Sequence, residues 1–386
     1  MMEFDLYFKP ISQKIEKLKK LPDAKDRMID ITFHSASEKV TKLDGFDIVI
    51  FGVGEERASE NIGTTNAPDE IREKLYSLFK PSPNLKICDL GNLNLGKTIK
   101  DTYIALKELI LEFRSKNIVP IVIGGSQDLT FPIYEAYRKV ENFLNLVIID
   151  SVIDFSTQKN EITSTSYIHK IIQTQNNRIF NISVLGYQNY LVNSKTVEKM
   201  RKLLLDTYRL GLLRANLIEI EPILRDTHFL SFDMGAIKQA DSPGNATPSP
   251  NGFDSVEACQ IAEYAGLSDN LSCFGLFEVN PLFDNNKQTT HLAAQIIWHF
   301  IEGFYLRMND LPNTDTDDYK KFIVNIDNVN QNLVFYKSMK TNRWWIEIPV
   351  TGTAKKLVSC SYNDYLSASK QEIPDIWWKT FQKLSR

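Results

Sequence analysis

Four oxygen-bearing side chains stand just past apolar runs of the chain. Gln127 follows the run 118–124, Asp150 and Asp154 follow 145–149, and Asp233 follows 228–232. Alternate residues leaving a strand point the same way, so the Asp150-Ser151-Val152-Ile153-Asp154 segment can aim both carboxylates into one cleft. If Asp233 joins them, three ionised carboxylates a few Å apart repel and raise one another's pKa. A divalent ion, a lysine, or protonation of one acid would relieve that repulsion. Oxygen donors from Asp and Gln suit Mg2+, Mn2+ or Ca2+, and such ions lower the pKa of a bound water.

The elements that must position these groups are legible in the apolar pattern. Strands are expected over 47–53, 86–90, 119–124, 145–150, 180–185, 228–234 and 274–279, several of them apolar without alternation. That pattern suits strands covered on both faces in a parallel sheet. Helical spacing recurs between them, over 69–79, 98–114, 255–265 and 291–305, with Asp69 placed to cap the first. Alternating strands and helices predict a three-layer αβα fold around a mostly parallel sheet of about eight strands. In such sheets ligands bind beyond the carboxyl ends of the strands, where the four side chains sit. Residues 1–45 read as a helical extension and 46–310 as the α/β domain. Residues 311–386 read as a C-terminal extension packed on that core, with strands over 322–326, 333–338 and 344–348, a turn at 339–342, and a helix over 373–384.

Composition sets limits. The 386 residues are 43% hydrophobic and 24% charged, enough for a substantial core, and the net charge of −3 gives no broad basic surface for nucleic acid. No run approaches the ~20 apolar residues that span a bilayer. The first residues are mixed and charged, unlike a secretion signal, so a cytoplasmic location is expected. Cys88, Cys259, Cys273 and Cys360 are scattered, with no C-x-x-C, and suggest neither zinc nor disulfides. Gly124-Gly125 belongs to no phosphate-loop pattern.

Three segments in order, Gly124-Gly125-Ser126-Gln127-Asp128, Asp150-Ser151-Val152-Ile153-Asp154 and Ser231-Phe232-Asp233-Met234-Gly235, resemble the metal-binding segments of the ureohydrolases (arginase, agmatinase, formiminoglutamase). Those read roughly G-G-D/N-H-S, D-A-H-x-D and S-x-D-x-D. Further matches are Asp241-Ser242-Pro243-Gly244, Pro250-Asn251-Gly252-Phe253, Phe277-Glu278-Val279-Asn280-Pro281, and Gly63-Thr64-Thr65-Asn66-Ala67-Pro68-Asp69 with Ile71 and Arg72. The resemblance runs from about residue 47 to 305.

The resemblance implies a dinuclear manganese hydrolase of linear amidines, but the ligand positions survive unevenly. One ion would use Gln127 (His in the family), Asp150, Asp154 and Asp233. The private ligands of the other are replaced by Val152 and Gly235, which offer no side-chain donor. Glu278 matches the carboxylate that holds the substrate's guanidinium or amidine, a planar cation suited to two parallel hydrogen bonds. His169 lies near the family's substrate-contact loop and could move protons. Lys238 stands where the family has another Asp and is a candidate internal cation. The expected cofactor is therefore none or a single divalent ion, manganese first. Two functions remain open. One is a non-catalytic binding or scaffolding protein with a degraded centre. The other is a single-ion hydrolase of C–N bonds, formiminoglutamase-, agmatinase- or arginase-like. A small cationic amidine or guanidine is the expected ligand. A protein partner could meet the C-terminal extension, and a homo-oligomer is implied by the resemblance alone. Each site group also has a structural reading: Asp, Gln and Glu bonded to loop amides, His169 as a loop histidine, and the Trp344, Trp345, Trp377 and Trp378 rings as core.

Overall fold

The continuous apolar runs assemble into one ten-stranded sheet. Its strands are β1 (Phe8–Lys9), β2 (Thr32–Phe33), β3 (Ile48–Val53), β4 (Ile87–Leu93), β5 (Val119–Gly124), β6 (Leu144–Ile149), β7 (Ile179–Tyr187), β8 (Asp206–Arg209), β9 (Phe229–Asp233) and β10 (Phe274–Phe277). The order across the sheet is β1-β4-β3-β5-β10-β9-β6-β7-β8, with β2 also beside β4. Only β1 runs antiparallel to its neighbour; the other pairs are parallel. The structure, a computed structural model, describes residues 3–36, 39–157, 161–312, 317–327, 331–350 and 354–385.

Successive strand residues feed opposite faces, as the two-residue period requires. Ile48, Ile50, Ile121 and Ile123 pack with Ile71, Leu75, Ile261 and Ile297 of the helices Ala67–Leu75, Ser255–Gly266 and Gln288–Tyr305. Val49, Phe51 and Val122 pack with Leu106, Ile110 and Phe113 of the helix Ile99–Ser115 on the other side. This is the expected three-layer αβα arrangement. The N-terminal extension holds short helical turns, Phe4–Tyr7, Gln13–Glu16, Lys17–Lys20 and Ala24–Asp26, and adds the strands β1 and β2. Phe4 and Phe8 enter one apolar layer while Ile11 and Ile15 enter the other.

Two local expectations change. The first long helix starts at Ala67 and ends at Leu75, so Asp69 lies in its first turn and does not cap it. Its carboxylate accepts from Arg72 Nη1 at 3.1 Å and from Asn92 Nδ2 at 2.9 Å. Capping boxes do start three other helices, at Thr98/Asp101, Asp254/Glu257 and Ser361/Asp364.

The C-terminal extension is a four-stranded antiparallel sheet, β11 (Tyr319–Ile326), β12 (Gln331–Ser338), β13 (Trp344–Pro349) and β14 (Lys355–Cys360), followed by the helices Tyr362–Ser369 and Asp375–Leu384. The β12–β13 turn is the expected hairpin, with Asn342 at φ +62° and Ser338 N donating to Arg343 O at 2.9 Å. Strand β14 was not expected, because its Lys-Lys-Leu-Val-Ser-Cys pattern alternates poorly. Six register pairs with β13 hold it. Trp344, Trp345 and Trp377 are buried and Trp378 is half exposed, so three of the four indoles are core.

Arg225 ties this sheet to the large one. Its Nη1 donates to Trp344 O at 3.0 Å, its Nη2 to Cys360 O at 3.1 Å, and the guanidinium lies 4.5 Å from the Trp345 ring centroid. Truncation would orphan two buried carbonyls and remove the stacked cation, at a cost of about 2–4 kcal/mol. Arg225→Ala is therefore expected to speed limited proteolysis between residues 311 and 386 while the rest of the chain stays resistant. An unchanged cleavage rate would refute the tie. No helix among the described residues is long and apolar enough to cross a membrane. All four cysteines are buried, and none is in a disulfide among the described residues.

Candidate active site

The strand order explains why distant residues meet. β5, β10, β9 and β6 are consecutive neighbours in the middle of the sheet, and adjacent strands lie about 4.8 Å apart. Their carboxyl ends deliver Gln127, Glu278, Asp233 and Asp150 side by side. Gly125 is needed there because a Cβ would fall 2.1 Å from Glu55 O; instead Gly125 N reaches Val53 O at 2.7 Å.

Asp150, Asp154, Asp233 and Glu278 are all buried. Val152 N donates to Asp150 Oδ1 at 3.0 Å and Gly235 N to Asp233 Oδ1 at 2.6 Å, local turns that occupy one oxygen of each acid. Asp150 and Asp154 lie close enough to shift each other's titration, Asp154 raising Asp150. Burial, then the other carboxylates, pushes Asp150 and Asp233 well above the ordinary range. Burial chiefly raises Asp154 to about 8, with Asp233 and Glu278 adding to the push.

The Gln127 amide fills the space among these acids. Its orientation follows from the hydrogen-bond network. With the nitrogen inward it donates to Asp154 Oδ2 and Asp233 Oδ2, each at 3.2 Å, and contacts the Tyr167 hydroxyl at 3.3 Å. Glu278 takes φ +65°, a left-handed backbone rare for a non-glycine residue. Its own N–H bonds Gly125 O at 2.8 Å. Its carboxylate accepts from Gln127 N at 2.8 Å and Asn61 Nδ2 at 2.9 Å. Burial raises it to about 7 against these donors. Asn61 in turn accepts from Asn280 Nδ2 at 2.8 Å and Ala246 N at 3.1 Å, so the strained residue is braced by three loops.

Five of the six expected site residues therefore converge: Gln127, Asp150, Asp154, Asp233 and Glu278. His169 is set apart. It lies on the helix Tyr167–Gln173 with its ring centroid 4.9 Å from that of Phe155 and no partner for Nδ1. Burial, then Lys199 and Lys170, lowers its pKa, so it is a neutral imidazole. Lys238 does not serve as the internal cation; its ammonium pairs with Asp241 Oδ2 at 3.5 Å, three residues along the same turn.

Tyr167 and Asn61 went unrecognised in the sequence. Tyr167 is fully buried, and burial followed by Asp154, Asp150, Asp233 and Glu278 pushes its hydroxyl pKa well up, so it remains a neutral donor facing the acids. The segment 164–169 was singled out for its imidazole, whereas its tyrosine is the group that reaches the site. Asn61 carried no signal beyond lying ahead of the Gly63–Asp69 match.

Two of the family's ligand positions carry no donor here. Val152 offers an apolar side chain. A Cβ at Gly235 would fall 3.0 Å from Asp233 Oδ1 and 3.2 Å from Asn245 Nδ2, so those two side chains would have to give by a few tenths of an ångström to admit one. Among the described residues, no group of three or more His, Cys, Asp or Glu side chains is arranged to hold a metal ion. A partly open cavity of about 240 Å³ lies elsewhere, between the two sheets.

Comparison with known proteins agrees with this geometry. The arginase family model matches residues 46–302. The formimidoylglutamase of Halalkalibacterium halodurans is 23% identical over 281 residues, 68% of this chain and 88% of its own. The mitochondrial guanidino acid hydrolase of Mus musculus is 22% identical over 282 residues, 67% of this chain and 77% of its own. Among solved structures, Trypanosoma cruzi formiminoglutamase with Mn2+ superposes with a TM-score of 0.64 at 20% identity, covering 70% of this chain and 97% of that one. The formimidoylglutamase of Bacillus subtilis gives 0.63 at 20% identity, covering 77% and 99%. With a family match across most of its length and the matching strand-end architecture, the chain belongs to the arginase family.

Proposed function

We propose that this arginase-family protein has replaced a dinuclear metal centre with a closed, proton-sharing carboxylate nest and works as a non-catalytic binding or scaffolding protein. The observation that carries this is the missing pair of side-chain donors at Val152 and Gly235 beside four buried carboxylates. The Gln127 amide can turn its nitrogen to Asp154 and Asp233, or turn its oxygen to them with the nitrogen on Ser231 Oγ at 3.3 Å. The donor set does not fit two ions. Val152 and Gly235 supply no side-chain donor, and burial raises the pKa of both Asp150 and Asp154. A small amidine or guanidine cation is the ligand class a buried acidic nest favours.

A second reading, a hydrolase of linear amidines working with a single ion, is favoured by four carboxylates buried together. In that case Asp150, Asp154 and Asp233 would hold the ion, with Gln127 turning its carbonyl oxygen inward. Manganese is the ion implied by the T. cruzi structure, and it would supply a water of lowered pKa. Glu278 would orient the substrate cation and His169 would carry protons.

Elemental analysis after purification in manganese, paired with assays on formiminoglutamate, agmatine and arginine, separates the two. The proposal expects no stoichiometric metal and no turnover. A single manganese per chain with turnover establishes the second reading, and two manganese ions would contradict both.

A further inference from the structure

One edge of the C-terminal sheet stands open. The strand order there is β11-β12-β13-β14, so β11 has a neighbouring strand on one side only. The whole sheet lies beyond residue 302, outside the segment that matches the family. The backbone bonds show which groups of β11 face outward. In an antiparallel ladder the N–H and C=O of one residue point to the same side, and successive residues alternate. Met339 N donates to Asp318 O at 2.8 Å on the β12 side, so the even-numbered residues of β11 bond to β12. Tyr319, Lys321, Ile323 and Asn325 therefore turn their N–H and C=O groups away from the sheet.

The far end of this edge shows what it accepts. Gln371 Nε2 donates to Asn325 O at 3.0 Å, and Asp327 N donates to Gln371 Oε1 at 2.9 Å. One side-chain amide thus takes the place that a peptide group of another strand would fill. From Tyr319 to Ile323 no strand among the described residues lies on that side. Edge strands are commonly blunted by shortness, proline or a bulge. β11 has none of these: it runs for eight residues in unbroken register with β12. Ile323 is 61% exposed, and Phe322 and Val324, on the other face, are only partly buried.

Charge selects the kind of strand that fits. Lys320 stands directly opposite Lys337 in the register, an unfavourable pairing of like charges. Lys321 lies on the other face, its ammonium 6.0 Å from the Tyr336 ring centroid. Among the described residues neither Lys320 nor Lys321 has a carboxylate within 4.0 Å, whereas Lys355, on the opposite edge strand, is paired with Glu347 at 2.7 Å. Asp318 and Asp327 stand at the two ends of β11, not along it. A second copy of β11 pairing antiparallel would bring the lysines of both strands together at its centre, so these lysines turn a like strand away. An acidic strand is drawn to them.

We propose that β11 is a docking edge for an extended, acidic peptide segment of a partner protein, which adds antiparallel to the C-terminal sheet. Its backbone would exchange hydrogen bonds with Tyr319, Lys321 and Ile323 and stop at Gln371. Consecutive carboxylates would meet Lys320 and Lys321 on the two faces, and alternate apolar side chains would cover Phe322 and Val324. This role is independent of what the strand-end acids of the large sheet do.

The test is fluorescence anisotropy of a labelled peptide, Thr-Val-Thr-Val-Glu-Glu-Thr, titrated with the full-length protein. In antiparallel register its glutamates meet Lys321 and Lys320 and its valines meet Phe322 and Val324. Saturable binding is expected, weaker by about tenfold or more when both glutamates are replaced by lysine. N-methylation of the third and fifth residues, whose N–H groups would face β11, should weaken it by about tenfold or more, whereas N-methylation of the second and fourth should keep most of the affinity. Ile323→Pro removes an outward N–H and no bond to β12, so the sheet should tolerate it while peptide affinity falls about tenfold or more; a melting curve confirms the fold. If that variant does not fold, Lys320→Glu combined with Lys321→Glu takes its place, and the preference for the acidic peptide over the lysine peptide should reverse. The proposal is overturned if the acidic peptide does not bind saturably, or if the lysine peptide or the peptide methylated at its third and fifth residues binds as tightly. It is also overturned if folded Ile323→Pro protein binds the acidic peptide unchanged, or if the charge-reversed protein keeps its preference. Sedimentation showing an oligomer that Ile323→Pro dissociates would assign the edge to a second copy of this chain and overturn the proposal as well.

Discussion

In metal-free buffer at pH 8, Asp154→Asn is expected to stabilise the protein by about 2–3 kcal/mol. Asp154 is buried among like charges, with its pKa raised to about 8 from the usual 3.8. Asparagine keeps an oxygen for the Gln127 amide and carries no charge to repel Asp150 and Asp233. The sign for the unaltered protein follows from linkage. A carboxylate raised on folding holds a proton that the unfolded chain has released, so its contribution is complete below about pH 4 and is lost as pH rises through about 8. Glu278, raised to about 7, and Asp128, raised to about 6 by burial, act in the same direction. Because the acids are coupled, the nest titrates as a unit over this window. Urea unfolding in EDTA at pH 5.5 and pH 8 should therefore give lower stability at pH 8, with a flatter profile for Asp154→Asn. If stability instead rises toward pH 8, or Asp154→Asn is destabilising there, the acids are ionised and neutralised by a cation, and the closed-nest reading fails.

Arg72→Met is expected to cost about 3–5 kcal/mol, because it leaves a buried carboxylate without its partner. Arg72 and Asp89 are both fully buried. The guanidinium donates through Nε to Asp89 Oδ2 at 2.7 Å and through Nη2 to Asp89 Oδ1 at 3.1 Å, a bidentate pair, and Nη2 also reaches Gly91 O at 2.8 Å. Asp89 accepts in addition from the Tyr76 hydroxyl. This knot clamps the helix Ala67–Leu75 to β4, and the chain entering that helix carries Asn61, the brace of Glu278. Adding Asp89→Asn removes the orphaned charge and should recover part of the loss in a double-mutant cycle. Equal losses for the single and double variants would mean that packing, not the ion pair, carries the stability.

Much of this architecture was readable from local pattern. Each of the seven expected strands is present within a few residues, because a strand buried on both faces must be apolar throughout and such runs are conspicuous. The elements that escaped notice are short or polar: β1 and β2 have two residues each, β8 reads Asp-Thr-Tyr-Arg, and β14 opens on two lysines. Their pairing is decided by the neighbouring strand and not by their own propensity. Lys238 shows the same limit in the site. Its charge and position suggested a counter-ion for the acids, but a turn brought Asp241 within reach first.

The sequence by itself determined which residues stand at the strand ends, and with them the family, the surviving acids Asp150, Asp154 and Asp233, and the absence of donors at Val152 and Gly235. Those are facts of residue type and spacing. Only the tertiary structure decided what the acids do with one another. Placing β5, β10, β9 and β6 side by side buries four carboxylates together, and burial raises the pKa of each. It also turns the Gln127 amide, Tyr167 and Asn61 toward them, three groups from separate segments whose orientation depends on packing around the whole cleft. The cavity beneath β14 was invisible for the same reason, since its lining comes from chain segments that meet only when the C-terminal sheet docks on the core.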